Sequence, residues 1–332
     1  MEELASLHCR GVLTCMLICA SVTCMYNLAT GVYLSKHMLV ERPVKPSHEV
    51  TIVTGYWNPD RMPVRKRTNK AYQEWIRNLL VHLETPLVVY CDTEFCPLAR
   101  ALTKHSMQSS VVARPLTSFY VWMNYGPNIT LLNAVNREKH IYSSEYSMVT
   151  HEKMAMLRQT QLENPFQSSI FLWVDIGIDR QGFFASHPTW PNNLLPFAGD
   201  RILLNNVDGA IRADLCPSVA TWPGEYIRQI VQAFGPHNVG IGGGIFGGTS
   251  KAVERMESAY YKVLEAFIRQ NTSTQEQSIL DAIACAEYDG SFDHEPLVRA
   301  VIPRGGTTLW HHVQHLVRGN PDVWFFLLDY LK

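Results

Sequence analysis

Apolar residues in this chain fall into short runs that stop on a carboxylate or a glycine. The sharpest is Ser169-Ile-Phe-Leu-Trp-Val-Asp-Ile-Gly-Ile178, followed at once by Asp179 and Arg180. A run this short predicts a central strand rather than a buried helix. Its carboxyl end would deliver Asp175 into a crevice, with Gly177 letting the backbone come close to a ligand. An acidic residue at a strand end is also an ordinary turn former, so Asp175 stands between site and turn. Two earlier runs have the same form. Glu49 to Trp57 is β-branched and ends in Gly55 and aromatics, a first strand with its crevice loop. Thr85 to Asp92 is a second strand, and Asp92 either contacts a ligand or caps the turn into the next helix.

Helical spacing places Trp75, Ile76, Leu79 and Leu80 on one side of a helix from Tyr72 to Leu83. A helix over 98–108 and a strand over Ser110–Leu116 follow, then a helix-rich stretch from Trp122 to Asn164. Within it, Glu145–Leu162 is one long helix whose Lys153, set among His151, Glu152 and Arg158, is expected to face solvent. Asn164-Pro-Phe breaks that helix and hands over to the 169–175 strand. Strand, helix, strand with carboxylates at two strand ends is the pattern of a doubly wound α/β sheet. Residues 181–225 show little periodicity and read as an excursion with a strand at Arg201–Asn205.

Five glycines lie between 242 and 248 in Val239-Gly-Ile-Gly-Gly-Gly-Ile-Phe-Gly-Gly-Thr-Ser250. Their entropic cost argues against filler. The order of Thr249, Ser250 and Lys251 is wrong for a Walker loop, and a dinucleotide fingerprint belongs at the first strand. We expect a ligand-lining loop in which Gly243, Gly244 and Gly247 offer main-chain amides; a structural turn, or strands crossing closely, is the alternative. A helix over Ser250–Gln270, capped by Thr249 or Ser250, comes next. Glu276 and Gln277 then open another helix behind Ser273 or Thr274, so Glu276 serves the cap or stands at a loop junction beside the glycines.

Residues 12–34 carry no charged side chain and are long enough to cross a bilayer. A cleaved signal peptide and a soluble or transit helix are the rivals. The expected organisation is a tail over 1–11, a transmembrane signal anchor over 12–34, a stem over 35–48 and one folded domain over 49–332. The sequons Asn128-Ile-Thr and Asn271-Thr-Ser fit a lumenal body. Formal charge is −1 over 332 residues, without a long basic block, which argues against nucleic acid as partner. Of eight cysteines, Cys91 and Cys96 are close enough for a disulfide in an oxidising compartment; free buried thiols are the alternative. His311 and His315 share a helix face but lack a third ligand nearby.

No Gly-x-Ser-x-Gly elbow or His-Glu-x-x-His helix is present. What remains is a crevice with Asp92, Asp175 and Asp179, a glycine wall, and Trp173, Trp190 and Trp222 for stacking on rings. That set suits a ligand carrying a diphosphate and a sugar. Thr51-Ile-Val-Thr-Gly-Tyr-Trp57, Thr85-Pro-Leu-Val-Val-Tyr90, Asn164-Pro-Phe, Phe171-Leu-Trp-Val-Asp-Ile-Gly177, Gly243-Gly-Ile-Phe-Gly-Gly248 and Glu276-Gln277 resemble the ordered landmarks of the bacterial HtrL/YibB-type protein family. The resemblance spans roughly 49–330.

It implies a GT-A-like, Rossmann-like mixed sheet flanked by helices. The implied activity is a glycosyltransferase taking a nucleotide-sugar donor and a glycan, glycolipid or glycoprotein acceptor. The alternative is a non-catalytic carbohydrate- or nucleotide-sugar-binding protein on that fold. With the anchor, the expected setting is a Golgi or other secretory-pathway membrane with the domain in the lumen. By this likeness Asp175 and Gly177 occupy the place of an Asp-x-Asp metal and nucleotide-sugar motif, and Lys153 and Glu276-Gln277 match family positions. Glycine at 177 leaves that motif incomplete. Either Asp175 binds Mn²⁺ or Mg²⁺ with help from Asp179 or a distant His or Asp, or the reaction runs without metal and Lys153 or Arg180 takes part of the role. In an inverting enzyme, Asp289 or Glu276 would deprotonate the acceptor hydroxyl.

Overall fold

The computed structural model describes residues 48–58, 69–106, 108–135, 143–180, 182–186, 188–191, 200–206, 215–234, 240–272, 275–288, 298–303 and 324–326. The anchor, the stem up to residue 47, Asp289, His311 and His315 lie outside these. Among the described residues no helix is long and apolar enough to cross a membrane.

Alternation builds the sheet. In β1 (His48–Tyr56) and β4 (Ser168–Val174), successive side chains go to opposite faces. Val53, Phe171 and Trp173 join one apolar cluster, whereas Val50, Ile52, Ile170, Leu172 and Val174 join the other. β2 (Leu87–Cys91) alternates in the same way, and β3 (Ser109–Ala113) follows it outward. β1 to β4 are all parallel, in the order β3-β2-β1-β4. The sheet continues through β6 (Ile241–Thr249), β5 (Ile202–Asn206), β7 (Val298–Pro303) and β8 (Trp324–Phe326). β6 runs antiparallel to both β4 and β5, so the eight strands form a mixed sheet.

Helices cover both faces, as the strand–helix alternation predicts. α1 (Asn69–His82) and α2 (Cys96–Thr103) pack Ile76, Leu79, Leu80 and Ala99 on one side. α3 (Tyr120–Val135), α4 (Ser144–Glu163), α5 (Gly224–Ala233), α6 (Ser250–Arg269) and α7 (Glu276–Tyr288) cover the other. Ser143 caps α4 by accepting from the Tyr146 amide, and Asn164 ends it in a left-handed conformation at φ 37°. Thr249 caps α6, as expected.

The glycine-rich run is the main departure: it is not a loop but the buried strand β6, between β4 and β5. Three of its glycines, Gly243, Gly247 and Gly248, answer to crowding. A Cβ on Gly247 would collide with the Phe171 carbonyl of β4, and one on Gly248 would stand 2.6 Å from the Arg201 carbonyl. Among the described residues, two disulfides tie the fold. Cys91–Cys96 joins the end of β2 to the start of α2, and Cys216–Cys285 ties the segment before α5 to α7.

Candidate functional site

β1 and β4 run side by side and stop together, and a cavity of about 100 Å³ opens beyond their carboxyl ends. β1 supplies Gly55, Tyr56 and Trp57. α1 supplies Tyr72, α4 supplies Tyr146, Thr150 and Lys153, and the β4 end supplies Trp173, Asp175, Gly177 and Arg180. Gly55 makes the aromatic wall possible, because a Cβ there would lie 2.6 Å from the Trp57 ring. The Trp57 indole is pinned by donating to the Arg114 carbonyl at 2.9 Å.

At the floor lies Lys153, buried rather than solvent-facing. α4 is enclosed nearly all round, with Ser147, Met148 and Thr150 to Leu157 buried, so a polar side chain on it finds protein partners. The Lys153 ammonium donates to Asp175 Oδ1 at 2.8 Å, Glu276 Oε1 at 2.6 Å and the Gly243 carbonyl at 3.1 Å. Three donors meet three acceptors, and the group is saturated. Burial alone would lower its pKa, but Asp175 and Glu276 outweigh that and hold it above the usual lysine range. Asp175 also accepts from the Trp173 indole at 2.8 Å, and its amide donates to the Gly244 carbonyl at 2.8 Å. Its side chain is 33% exposed against 8% for Lys153, so the carboxylate is the member of the pair open to a ligand.

Sequence-chosen residues divide sharply. Lys153, Asp175, Gly177 and Arg180 line the cavity. Glu276 and Gly243 do not line it; they brace Lys153, and a Cβ on Gly243 would lie 2.5 Å from Glu276 Oε1. Gly244 contributes its carbonyl to the Asp175 amide, and Gly247 serves the β4 contact. Asp92 takes the cap alternative. Its carboxylate accepts from the Phe95 amide at 2.8 Å and the Asn58 amide at 3.2 Å, and it does not line the cavity. Asp179 is turned inward, accepting from the Phe184 amide at 3.0 Å. Trp190 packs on Phe184 and Trp222 stands near Tyr226, both away from the cavity lining, whereas Trp173 belongs to it. Tyr72, Tyr146 and Thr150 gave no sequence signal, since each sits on a helix whose pattern says only which side is apolar.

The motif resemblance implies a divalent cation, and the donor set among the described residues does not by itself make a site for one. Asp175 is the only carboxylate lining the cavity among the described residues, and its Oδ1 already accepts two hydrogen bonds. Lys153 and Arg180 line the same space, and Lys153 already neutralises Asp175 together with Glu276 behind it. A hard cation needs a surplus of anionic oxygens. Among the described residues no group of three or more His, Cys, Asp or Glu is arranged to hold a metal.

No family model matches the chain. No curated protein matches it either. The HtrL/YibB-type likeness therefore rests on the sequence landmarks alone. Among solved structures, the chain is similar to mouse xyloside xylosyltransferase 1 in its apo form, at 9% identity and a TM-score of 0.41. That similarity covers 73% of this chain and 83% of the other. At that TM-score it carries no argument about fold or activity. The sheet and cavity by themselves define a mixed α/β protein with an aromatic strand-end crevice, where Lys153 is held by Asp175 and Glu276 and Arg180 joins the lining.

Proposed function

We propose that this chain is a glycosyltransferase on a GT-A-like fold, moving a sugar from a nucleotide-diphosphate donor to a hydroxyl of a glycan, glycolipid or glycoprotein. One observation carries the reading: the cavity beyond β1 and β4 joins ring faces, cations and an accessible carboxylate in one place. Aromatic faces suit sugar and base rings, a guanidinium suits phosphate, and a carboxylate accepts from sugar hydroxyls. Crevices outside strand carboxyl ends are where open α/β sheets bind nucleotides. The sequence landmarks point to the same class.

In the transfer, the bond between the anomeric carbon and the diphosphate oxygen breaks, and its electron pair leaves with the nucleoside diphosphate. The acceptor hydroxyl oxygen forms the new bond, and its proton passes to a base or to the departing phosphate. Asp175, the accessible carboxylate, holds the sugar and acceptor end. A secretory setting with residues 12–34 as anchor belongs to the proposal. Support comes from the Cys91–Cys96 and Cys216–Cys285 disulfides, which an oxidising compartment favours, and from exposed Asn128 and Asn271 in the sequons.

Transfer and hydrolysis over a panel of uridine- and guanosine-diphospho-sugars, with and without Mn²⁺, test the reading. We expect turnover of at least one donor and a loss of roughly a hundredfold in Asp175→Asn. Binding without turnover would mark the non-catalytic alternative. No binding of any sugar nucleotide, with Asp175→Asn behaving like wild type, would refute both.

A further inference from the structure

α3 is a surface helix whose 16 residues include no Asp, Glu, Lys, Arg or His. Val121, Gly126, Ile129 and Leu132 are its buried side. Met123, Leu131 and Val135 face solvent at 65%, 66% and 74% exposure. With exposed Pro127 they recur at every fourth position and form one apolar stripe along the helix. A stripe of that kind on a folded body calls for a cover. Asn128 flanks it, next to Pro127 and one turn before Leu131. The other two asparagines of α3 are engaged: Asn124 donates to the Tyr120 carbonyl at 2.8 Å and Asn133 to Ser147 Oγ at 3.0 Å. The Asn128 side chain is exposed and makes no hydrogen bond among the described residues. In Asn128-Ile129-Thr130, both polar residues face solvent and Ile129 turns into the core.

Resting on the secretory setting given under the proposed function, we propose that Asn128 carries an N-linked glycan, and that this glycan is what covers the Leu131 and Val135 end of the stripe. An asparagine two positions before a threonine, without proline between them, is the acceptor pattern for oligosaccharide transfer. The donor is a lipid-diphosphate-linked oligosaccharide. Asn128 Nδ2 forms the new bond to the anomeric carbon. The bond from that carbon to the diphosphate breaks, its electron pair leaves with the lipid diphosphate, and one amide proton passes to a base of the transferring enzyme. A glycan is bulky and strongly hydrated, so one rooted a turn from Leu131 screens the stripe without adding charge. The free, outward side chain of Asn128 lets the folded helix carry it with no internal hydrogen bond lost.

Peptide mapping of the full-length protein, made in the secretory pathway of cultured eukaryotic cells, tests the site before and after peptide-N-glycosidase. We expect the Asn128 peptide to carry a glycan and to return from the enzyme with its asparagine converted to aspartate. Asn128→Gln and Thr130→Ala should each lose the glycan, and Thr130→Ser should keep it, because the hydroxyl is retained. A loss caused by misfolding would not follow that order. The cover is read separately, in membranes opened to reagents. Leu131→Cys should react with a polymer-linked maleimide several-fold faster when combined with Asn128→Gln or with Thr130→Ala. Leu162→Cys, at an exposed position on α4, should react at the same rate with and without the glycan.

A bare Asn128 in a chain whose Cys91–Cys96 and Cys216–Cys285 pairs escape alkylation after denaturation without reductant would overturn the inference and leave the secretory setting intact. A bare Asn128 together with free thiols at those four positions would overturn both. A glycosylated Asn128 whose removal leaves Leu131→Cys labelling unchanged would overturn the cover; crosslinking of Leu131→Cys between copies would then identify a second copy of this chain as the occupant of the stripe.

Discussion

Gly243→Ala is the smallest change that reaches the charge cluster from outside the cavity. The added methyl would stand 2.5 Å from Glu276 Oε1, 2.9 Å from its Cγ and 3.1 Å from its Cδ. No ordinary Cβ contact is that close, so Glu276 must move, and its 2.6 Å bond to Lys153 goes with it. Overpacking a closed interior costs roughly 1–3 kcal/mol, and losing a hydrogen bond to a charged group roughly 1.5–3 kcal/mol. One displacement causes both, so the costs overlap. Removing a strand glycine returns about 0.5–1 kcal/mol of backbone entropy. The expected net loss is about 2–4 kcal/mol, a fall of roughly 3–7 °C in Tm for a domain of this size. Thermal and urea unfolding of the purified chain would measure it, as a cycle with Glu276→Ala. In the Glu276→Ala background the clashing atoms are gone, and the cost of Gly243→Ala should shrink by at least about 1 kcal/mol. A cost below about 0.5 kcal/mol, or one unchanged by Glu276→Ala, would refute the packing account of Gly243.

Three further outcomes follow from the interior. Asp281 on α7 is buried, with Oδ1 accepting from the Ile241 amide at 2.6 Å and Oδ2 without a partner. Burial raises its pKa well above 3.8, against the pull of the Ile241 and Gly240 amides. The stability this proton brings is full below the ordinary carboxyl value and is lost as pH rises through the raised folded value. Asp281→Asn should therefore match wild type in acid and become the more stable protein towards neutral pH in urea titrations; a difference that does not change with pH would contradict this. The disulfides should differ in weight: Cys216–Cys285 spans 69 positions and Cys91–Cys96 only 5. On chain entropy, replacing the first pair by alanine should cost about 4 kcal/mol and the second about 2 kcal/mol. Equal losses in unfolding would discard the loop-length account. Glu152, buried and accepting from Arg114 and from the Tyr120 and Val121 amides, holds the start of α3. Glu152→Leu should cost roughly 3–5 kcal/mol by stranding Arg114 and those amides, and hydrogen exchange should show α3 loosened first.

The pattern of residues made the parallel half of the sheet legible because its strands alternate cleanly and end on polar residues. Ser168–Val174 sits within one residue of the 169–175 expectation, and α6 ends one residue short of Gln270. β6 was not legible. Glycine clusters signal turns when only local backbone freedom is considered. What selects Gly243, Gly247 and Gly248 is the nearness of Glu276 and of the Phe171 and Arg201 carbonyls. Lys153 misled for a similar reason: a helix enclosed on every side has no polar face to reveal which of its charges is buried. Asp92 and Asp175 each carried two readings that only partners could separate. Asp92 holds amides at a helix start, and Asp175 opens to the cavity.

Lys153 meets Glu276 across 123 positions, with Asp175 and Gly243 between them in the chain. During synthesis, α4 and β4 emerge long before β6 and α7. Until β6 inserts between β4 and β5, the sheet is two separate pieces, and β4 is an open edge with unpaired amides and carbonyls. Closing such long loops is entropically slow and has no local substitute. The charge cluster is therefore a late product of assembly, and a chain cut before Ile241 could keep the β1–β4 sheet while lacking two of the three groups that fix its ammonium. An intact Lys153 cluster would report that β6 has joined β4 and that α7 has packed onto them.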